Sequence, residues 1–324
     1  MSDLGNLDAP PLHPRPATPL PPEKPQRGDL IARLATAAVL IPPVLYAIAQ
    51  GGLWVLGLVI VVTLLAQREF YGLIEGKGAQ PIVGFGLVAG AALPVVAYLG
   101  NEYHATVLMT MTLLAVMLAQ LRRRRIADAL ASISGTFFGV FYVGWLLSHA
   151  VVLRDFHVQV VERYGEAAAE RLHFAPDSGA FLLVFTLAAV VLCDAGAYFA
   201  GRAYGNRKLA PAISPSKTLE GAAGGLVVGT LGALATKLLF DFARPELSEG
   251  LSWAAAGAFG LIVSGLGMAG DLVESLLKRD AQVKDAGSLL PGMGGILDRI
   301  DAPLLGIPGM YYLMLFYVYL RVNV

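Results

Sequence analysis

Apolar residues run in long stretches along most of this chain, and short polar segments separate them. The stretches lie near residues 31–50, 53–66, 81–99, 104–121, 131–153, 179–199, 221–242, 253–276 and 303–322. Most are long enough to cross a hydrocarbon layer of about 30 Å as α-helices. Because a helix satisfies its own backbone hydrogen bonds, it is the expected form of such a stretch in lipid. The pattern predicts an all-α, polytopic membrane bundle of about nine transmembrane helices.

Composition agrees with a membrane protein. Of the 324 residues, 56% are hydrophobic and 15% are charged, and the mean hydropathy is +0.63, which is unlike a soluble globular chain. The formal net charge is zero, so no basic field points to nucleic acid. The single cysteine, Cys193, excludes an internal disulfide, and its apolar surroundings predict a small buried side chain.

Residues 1–29 differ from the rest of the chain. They contain eight of the 19 prolines, which predicts a disordered, Pro-rich cytosolic tail. We assign residues 30–324 to one transmembrane domain. Within it, 31–153 form the N-terminal spans, and 179–324 form the catalytic spans with their cytosolic loops.

Lysine and arginine predict the orientation. With a cytosolic N-terminus, the inner segments carry 18 of the 24 basic residues, as expected for the cytosolic side. We interpret the run Arg122–Arg125 as a topology anchor that contacts lipid headgroups. On the outer side, the polar segment 154–178 predicts a short surface helix.

The stretch 270–301 concentrates the charge of the C-terminal half. It contains five Asp, one Glu and four basic residues. Asp271, Glu274, Ser275 and Lys278 are spaced i, i+3, i+4 and i+7, so they share one helix face. A Gly-rich loop at 287–295 follows, and then Asp298 and Asp301. Carboxylates from two segments with basic residues between them can hold divalent cations and a polyphosphate together.

A second polar group lies at 194–221. Asp194 stands near the cytosolic end of the sixth span, where a carboxylate is a functional candidate; the alternative is that it pairs with Arg202 to hold the helix end. Lys217 and Thr218 directly precede the seventh span, so they stand at a helix N-terminus suited to an anion. The alternative is an ordinary basic loop, and the spacing is not that of a Walker loop.

Metal-binding carboxylates and phosphate-binding groups on one membrane face predict phosphoryl or nucleotidyl transfer there. A phosphate oxygen is already ionised as a nucleophile and needs no general base. None of the five histidines lies in either polar group. A Ser–His–Asp or Cys–His mechanism would therefore lack its histidine base at this site.

The C-terminal stretch resembles the signature of the phosphatidate cytidylyltransferase (CDP-diacylglycerol synthase) family. That signature reads Ser-x-x-Lys-Arg, four residues, Lys-Asp, a Pro-Gly-His-Gly-Gly turn, and Asp-Arg-x-Asp. Its positions are Ser275, Lys278, Arg279, Lys284, Asp285, Pro291, Gly292, Met293, Gly294, Gly295, Asp298, Arg299 and Asp301. Met293 stands where the pattern has His. The segment from Asp194 through Ser214, Lys217, Thr218 and Glu220 also resembles that family.

The resemblance implies transfer of CMP from CTP to phosphatidic acid, giving CDP-diacylglycerol and pyrophosphate with Mg²⁺. It implies two metal ions, the second of unknown identity, with Asp271, Asp298 and Asp301 as ligands and Glu274 outside that set. Lys278 joins these three as a catalytic residue. The implied substrate-binding residues are Asp194, Ser214, Lys217, Thr218, Glu220, Ser275, Arg279, Lys284, Asp285, Gly294, Gly295 and Arg299.

Two other functions stay open from the sequence. One is a CTP-dependent transferase or kinase acting on an isoprenoid or other lipid. The other is an ion-coupled transporter, which also uses carboxylates inside the membrane. In each case we expect a bacterial inner-membrane protein with its site on the cytosolic face. CTP and membrane lipids are the expected partners, and a homodimer is left open.

Overall fold

The computed structural model describes residues 27–100, 102–123, 126 and 128–323, with side chains from residue 35 onward except residue 102. It is a bundle of helices, which confirms the all-α membrane fold class. The helices are α1 (Arg27–Gln50), α2 (Gly52–Gly76), α3 (Val83–Tyr98), α4 (Glu102–Leu121), α5 (Ala129–Gly139), α6 (Leu146–Arg154), α7 (Phe156–Tyr164), α8 (Glu166–Arg171), α9 (Ser178–Tyr204), α10 (Leu219–Ala243), α11 (Pro245–Ser248), α12 (Trp253–Asp280) and α13 (Leu297–Asn323). The Pro-rich segment 1–26 lies outside the described residues. Residues 27–29, predicted as the end of the tail, belong to α1.

Within the described part of the chain, seven helices are long and apolar enough to cross a membrane. They are Gly52–Gly76, Tyr103–Leu121, Ala129–Arg154, Ser178–Tyr204, Leu219–Ala243, Trp253–Asp280 and Leu297–Asn323. Two shorter apolar helices, Ala35–Gln50 and Val83–Tyr98, fall on the remaining predicted spans. Each predicted span therefore coincides with an apolar helix. Nine crossings and a cytosolic N-terminus stay predictions.

The third of these long helices, Ala129–Arg154, which corresponds to the fifth predicted span, contains an irregular segment. Between α5 and α6, residues Val140–Trp145 form a π-helical turn, a type of insertion that is often found at functional sites. Tyr142, within this turn, is buried in the main core beside Phe70 and Phe138. The turn thus places the Tyr142 side chain in an aromatic cluster inside the bundle.

The C-terminal helices pack closely through small residues. The helix α10 lies along α9 and α12, and α12 lies along α13. A Cβ atom on Gly225 would stand 2.8 Å from the Cys193 carbonyl oxygen, and one on Gly229 would stand 2.7 Å from that of Ala189. Small residues four apart let two membrane helices approach this closely. Cys193 is buried in this contact, as its surroundings predicted.

Two segments differ from their predicted form. The segment 154–178, predicted on the outer side, contains two helices, α7 and α8, rather than one, because Gly165 with φ +86° separates them. The segment between α9 and α10 contains two antiparallel strands, β1 (Lys208–Ala210) and β2 (Ser214–Thr218), with Ala210 opposite Ser214. Strands of three and five residues are too short for alternation of polar and apolar positions to reveal them.

Candidate active site

The C-terminal half of α12 presents the predicted polar face. The Ser275 Oγ donates a hydrogen bond to Asp271 Oδ1 at 3.5 Å. The Lys278 Nζ lies 2.5 Å from Glu274 Oε2, one helical turn away. Since α12 continues to Asp280, all four polar residues belong to one regular helix. Their spacing along the sequence fixes their common face.

The first turn of α13 meets this face. A Cβ atom on Gly270 would collide with the Asp301 carbonyl oxygen, so glycine at this position allows the two helices to touch. Oxygen atoms of Asp271, Glu274 and Asp301 then lie within 4.8 Å of one another. Glu274 is fully buried and Asp301 is only 9% exposed. We call Asp271, Glu274 and Asp301 the carboxylate triad.

Three carboxylates this close repel one another unless a cation or a proton intervenes. Carboxylate oxygens are the ligands that Mg²⁺ and Ca²⁺ prefer. The carboxylate triad is therefore a group of residues that could hold a metal ion. The metal's identity does not follow from this geometry.

Asp298 has a different environment, although it was predicted as a metal ligand. Its carboxylate accepts hydrogen bonds from Lys278 Nζ at 2.7 Å, from the Gly295 amide at 2.8 Å and from the Ala286 amide at 3.0 Å. These bonds tie the loop between α12 and α13 to both helices. The triad contains Glu274 instead, which sequence reasoning had placed outside the metal ligands. Metal binding by Asp298 stays a prediction.

The β-hairpin brings a lysine to the triad. The Lys217 Nζ on β2 lies 2.5 Å from Asp271 Oδ2. Thr218 caps α10, because its Oγ1 accepts a hydrogen bond from the Gly221 amide at 3.1 Å. Glu220 accepts hydrogen bonds from the backbone amides of Asn206 and Arg207 and so holds the start of the hairpin. The segment 194–221 and the segment 270–301 thus meet at one place.

A cavity of about 430 Å³ lies where these segments meet. Asp194, Arg202, Ser216, Lys217 and Asp271 supply its main polar groups, and residues of α9, α10 and α12 supply the apolar ones. The cavity therefore combines a basic residue from the hairpin with a carboxylate of the triad. This volume is within the range of small-molecule sites.

A family model described as the cytidylyltransferase family matches residues 31–317. The chain belongs to the cytidylyltransferase family. A phosphatidate cytidylyltransferase of Synechocystis sp. is 31% identical over 299 residues, which cover 86% of this chain and 94% of that protein. One from Bacillus subtilis is 46% identical over 121 residues, which cover 37% of this chain and 42% of that protein. A chloroplastic phosphatidate cytidylyltransferase of Arabidopsis thaliana is 32% identical over 280 residues, which cover 80% of this chain and 67% of that protein.

The remaining predicted site residues of this family member lie on the hairpin, at the end of α12, in the loop after α12 and at the start of α13. The Arg279 guanidinium donates to the backbone carbonyls of Ile213 and Val283, so it joins α12 to the hairpin. Lys284, Asp285 and Arg299 are exposed. Ser214 pairs with Ala210 in the hairpin. Their roles in substrate binding stay predictions.

The glycine-rich turn of this family member is shaped by contacts within the protein. Gly294 has φ +82°, and a Cβ atom on it would stand 2.9 Å from Asp298 Oδ2. Met293 donates its amide to the Leu290 carbonyl at 3.0 Å and is half-buried. A thioether cannot donate a hydrogen bond or carry a proton, so this chain does not use a histidine at that position.

Sequence reasoning missed two residues near the triad, both from the N-terminal spans. The Tyr142 hydroxyl is buried without a hydrogen-bond partner among the described residues and lies within electrostatic reach of Asp271, Glu274 and Asp301. Glu69 on α2 accepts a hydrogen bond from the Leu297 amide at 2.8 Å. Glu69 lies three residues beyond the predicted span 53–66, in a segment with other charged residues, so no sequence signal distinguished it.

Proposed function

We propose that this protein transfers CMP from CTP to phosphatidic acid and releases pyrophosphate, giving CDP-diacylglycerol. The observation that carries the proposal is the carboxylate triad beside Lys217, at the edge of the 430 Å³ cavity. The matched relatives named phosphatidate cytidylyltransferase support the same reaction. A phosphatidate oxygen attacks the α-phosphorus of CTP, a new P–O bond forms, and the bond to the bridging oxygen of pyrophosphate breaks.

We propose Mg²⁺ as the ion that the carboxylate triad holds, with a second metal ion of unknown identity beside it. Bound Mg²⁺ would neutralise the charge of the triphosphate and of the leaving pyrophosphate. Asp271, Asp298 and Asp301 are the proposed ligands from the sequence pattern, and the geometry adds Glu274. Asp298 holds Lys278 and the loop in place around them.

Basic and polar residues of this chain supply the rest of the site. Lys217, whose ammonium is paired with Asp271, is placed to transfer that contact to a phosphate group of CTP. Ser216 and Arg202 line the same cavity and can donate to phosphate oxygens. Lys278 forms ion pairs with Glu274 and Asp298 and so offsets part of the negative charge beside the reacting groups.

We place the site on the cytosolic side of a bacterial inner membrane. The support is the sequence distribution of Lys and Arg, which favours that side for the hairpin and for the loop after α12. CTP is a cytosolic solute, so this orientation gives the enzyme direct access to it. The homodimer stays a prediction.

The direct test uses purified protein, CTP labelled on the α-phosphate, and a panel of lipid phosphates with and without Mg²⁺. Phosphatidic acid is expected to take up the labelled CMP, and CTP to release one pyrophosphate for each lipid labelled, only with Mg²⁺ present. A kinase would leave the label in CDP and release no pyrophosphate. Preferential labelling of an isoprenoid phosphate, or cation flux into vesicles without CTP, would contradict the proposal.

Substitution within the arginine run after α4 is expected to have little effect on turnover. The Arg123 guanidinium donates to the Gln80 carbonyl at 2.5 Å, which joins two loops and involves no residue of the site. We expect Arg123→Ala to keep turnover within about threefold, since changes of surface residues seldom exceed about 0.5 kcal/mol. Complete loss of turnover in the same labelled-CTP assay would show that this run belongs to the site.

A further inference from the structure

Glu69 belongs to a rigid part of α2. Its two C-terminal neighbours, Phe70 and Tyr71, are 1% and 0% exposed. Tyr71 donates a hydrogen bond to the Thr136 carbonyl at 2.9 Å and accepts one from Gln67. These contacts fix the rotation of α2 about its axis. The side chain of Glu69 is consequently held in one direction.

That direction leads to the start of α13. The Glu69 Oε2 accepts a hydrogen bond from the amide of Leu297, the first residue of α13, at 2.8 Å. The first amides of a helix lack partners within the helix, and a nearby side-chain oxygen usually supplies one. Ile296, the residue before α13, has no polar side-chain atom. Glu69 therefore does what a capping residue does, from 228 positions away in the sequence.

Two glycines of the loop before α13 leave room for this carboxylate. A Cβ atom on Gly287 or on Gly295 would collide with the carboxylate oxygens of Glu69. Neither glycine has a positive φ, so the backbone conformation alone would accept another residue. What the positions require is space. For Gly295 this requirement differs from the substrate binding that the sequence resemblance implied, in which the glycine backbone would approach a phosphate.

We propose that Glu69 is a positioning residue that holds the loop and the first turn of α13, and with them Asp301, against α12. The inference rests on the proposed function, because the purpose of this placement is to assemble the carboxylate triad. Through Glu69 the N-terminal spans determine the geometry of a site whose charged groups come from the C-terminal half.

Hydrogen exchange tests the contact without any assay of activity. In full-length protein in detergent, Glu69→Ala is expected to speed exchange of the amides around Leu297 by about tenfold, because the capping hydrogen bond is lost. The matched control is Glu75→Ala on the same helix, whose carboxylate forms an exposed ion pair with Arg68. Unchanged exchange in Glu69→Ala, or an equal increase in the control, would overturn the contact whatever reaction the protein catalyses.

Kinetics then test the positioning role. Residues that orient metal ligands are typically worth 10- to 100-fold. We expect Glu69→Ala to lower kcat about tenfold and to raise the Mg²⁺ concentration needed for half-maximal rate, with KM for CTP changed less than about twofold. Glu69→Gln keeps an oxygen acceptor and should restore most of kcat. Equal losses in the Gln and Ala variants would overturn the capping role.

A double variant decides why Gly295 is glycine. Gly295→Ala is expected to lower kcat about tenfold because its Cβ displaces Glu69. If so, Glu69→Ala/Gly295→Ala should be no worse than Gly295→Ala alone, since residues that share one contact do not act additively. If Gly295 instead serves phosphate approach, the two losses multiply to about hundredfold, and that result would overturn the proposal. Should Glu69→Ala fail to fold, hydrogen exchange in Gly295→Ala replaces this comparison. Its Cβ should displace Glu69 and speed exchange of the Leu297 amide, and unchanged exchange would overturn the proposal.

Discussion

Asp301→Asn is expected to lower kcat by at least about a thousandfold while the protein still folds and inserts. Asn can keep the hydrogen bond that Asp301 Oδ1 accepts from the Ala302 amide at 2.8 Å. It removes one negative charge of the carboxylate triad and leaves a weak metal ligand. The several kcal/mol of charge stabilisation that a bound metal supplies convert to this factor at about 1.4 kcal/mol per tenfold.

Stability measurements separate this loss from unfolding. Without divalent cations, the thermal midpoint of Asp301→Asn should equal or exceed that of the unaltered protein, because repulsion within the triad is relieved. Added Mg²⁺ should raise the midpoint of the unaltered protein more than that of the variant. Glu170→Gln, an exposed change on α8, is the matched control and should keep full activity. Activity of Asp301→Asn within tenfold of the unaltered protein would contradict the metal role.

Lys217→Met is expected to lower kcat/KM for CTP by about a hundredfold, the typical loss when one preorganised charged donor is removed. The Lys217 ammonium lies beside Asp271, and the proposed metal ion would compensate the same carboxylate. Removing the lysine should therefore leave the Mg²⁺ requirement unchanged or lower it. Asp301→Asn is instead expected to weaken Mg²⁺ binding. The two variants therefore distinguish nucleotide binding from metal binding.

The hairpin supplies a matched control for this variant. Lys208 on β1 stands opposite Thr218 and is exposed. Lys208→Met should change kcat/KM less than about threefold, with the rates measured over a range of CTP concentrations at saturating lipid. A similar loss in both lysine variants would mean that only the overall charge of the hairpin matters, and the specific role of Lys217 would then be wrong.

Local sequence patterns predicted much of this molecule. The apolar stretches fall on helices because each length and composition matches what a membrane helix needs. The face of Asp271, Glu274 and Lys278 follows from helical periodicity, which is a property of neighbouring residues. Thr218 caps α10 as its position before the seventh span suggested. In each case the cause lies within one helix or at its end.

The sequence did not predict correctly which carboxylates meet in the triad. Asp298 and Asp301 are three residues apart near the start of one helix, yet Asp301 joins the triad while Asp298 bonds to Lys278 and two loop amides. Glu274 joins the triad although the family signature does not include it. Periodicity assigns residues to a face, whereas the distance between two helices decides which oxygens meet.

The sequence by itself determined that this chain is a helical membrane protein of the cytidylyltransferase type, with its acidic and basic groups concentrated in two segments. Only the tertiary structure decided that Gly270 lets α13 touch α12, that Lys217 reaches Asp271, and that Glu69 supports α13 from the N-terminal spans. The physical reason is that these contacts join residues far apart in the chain. Helix packing at close range, rather than any local pattern, brings their atoms together.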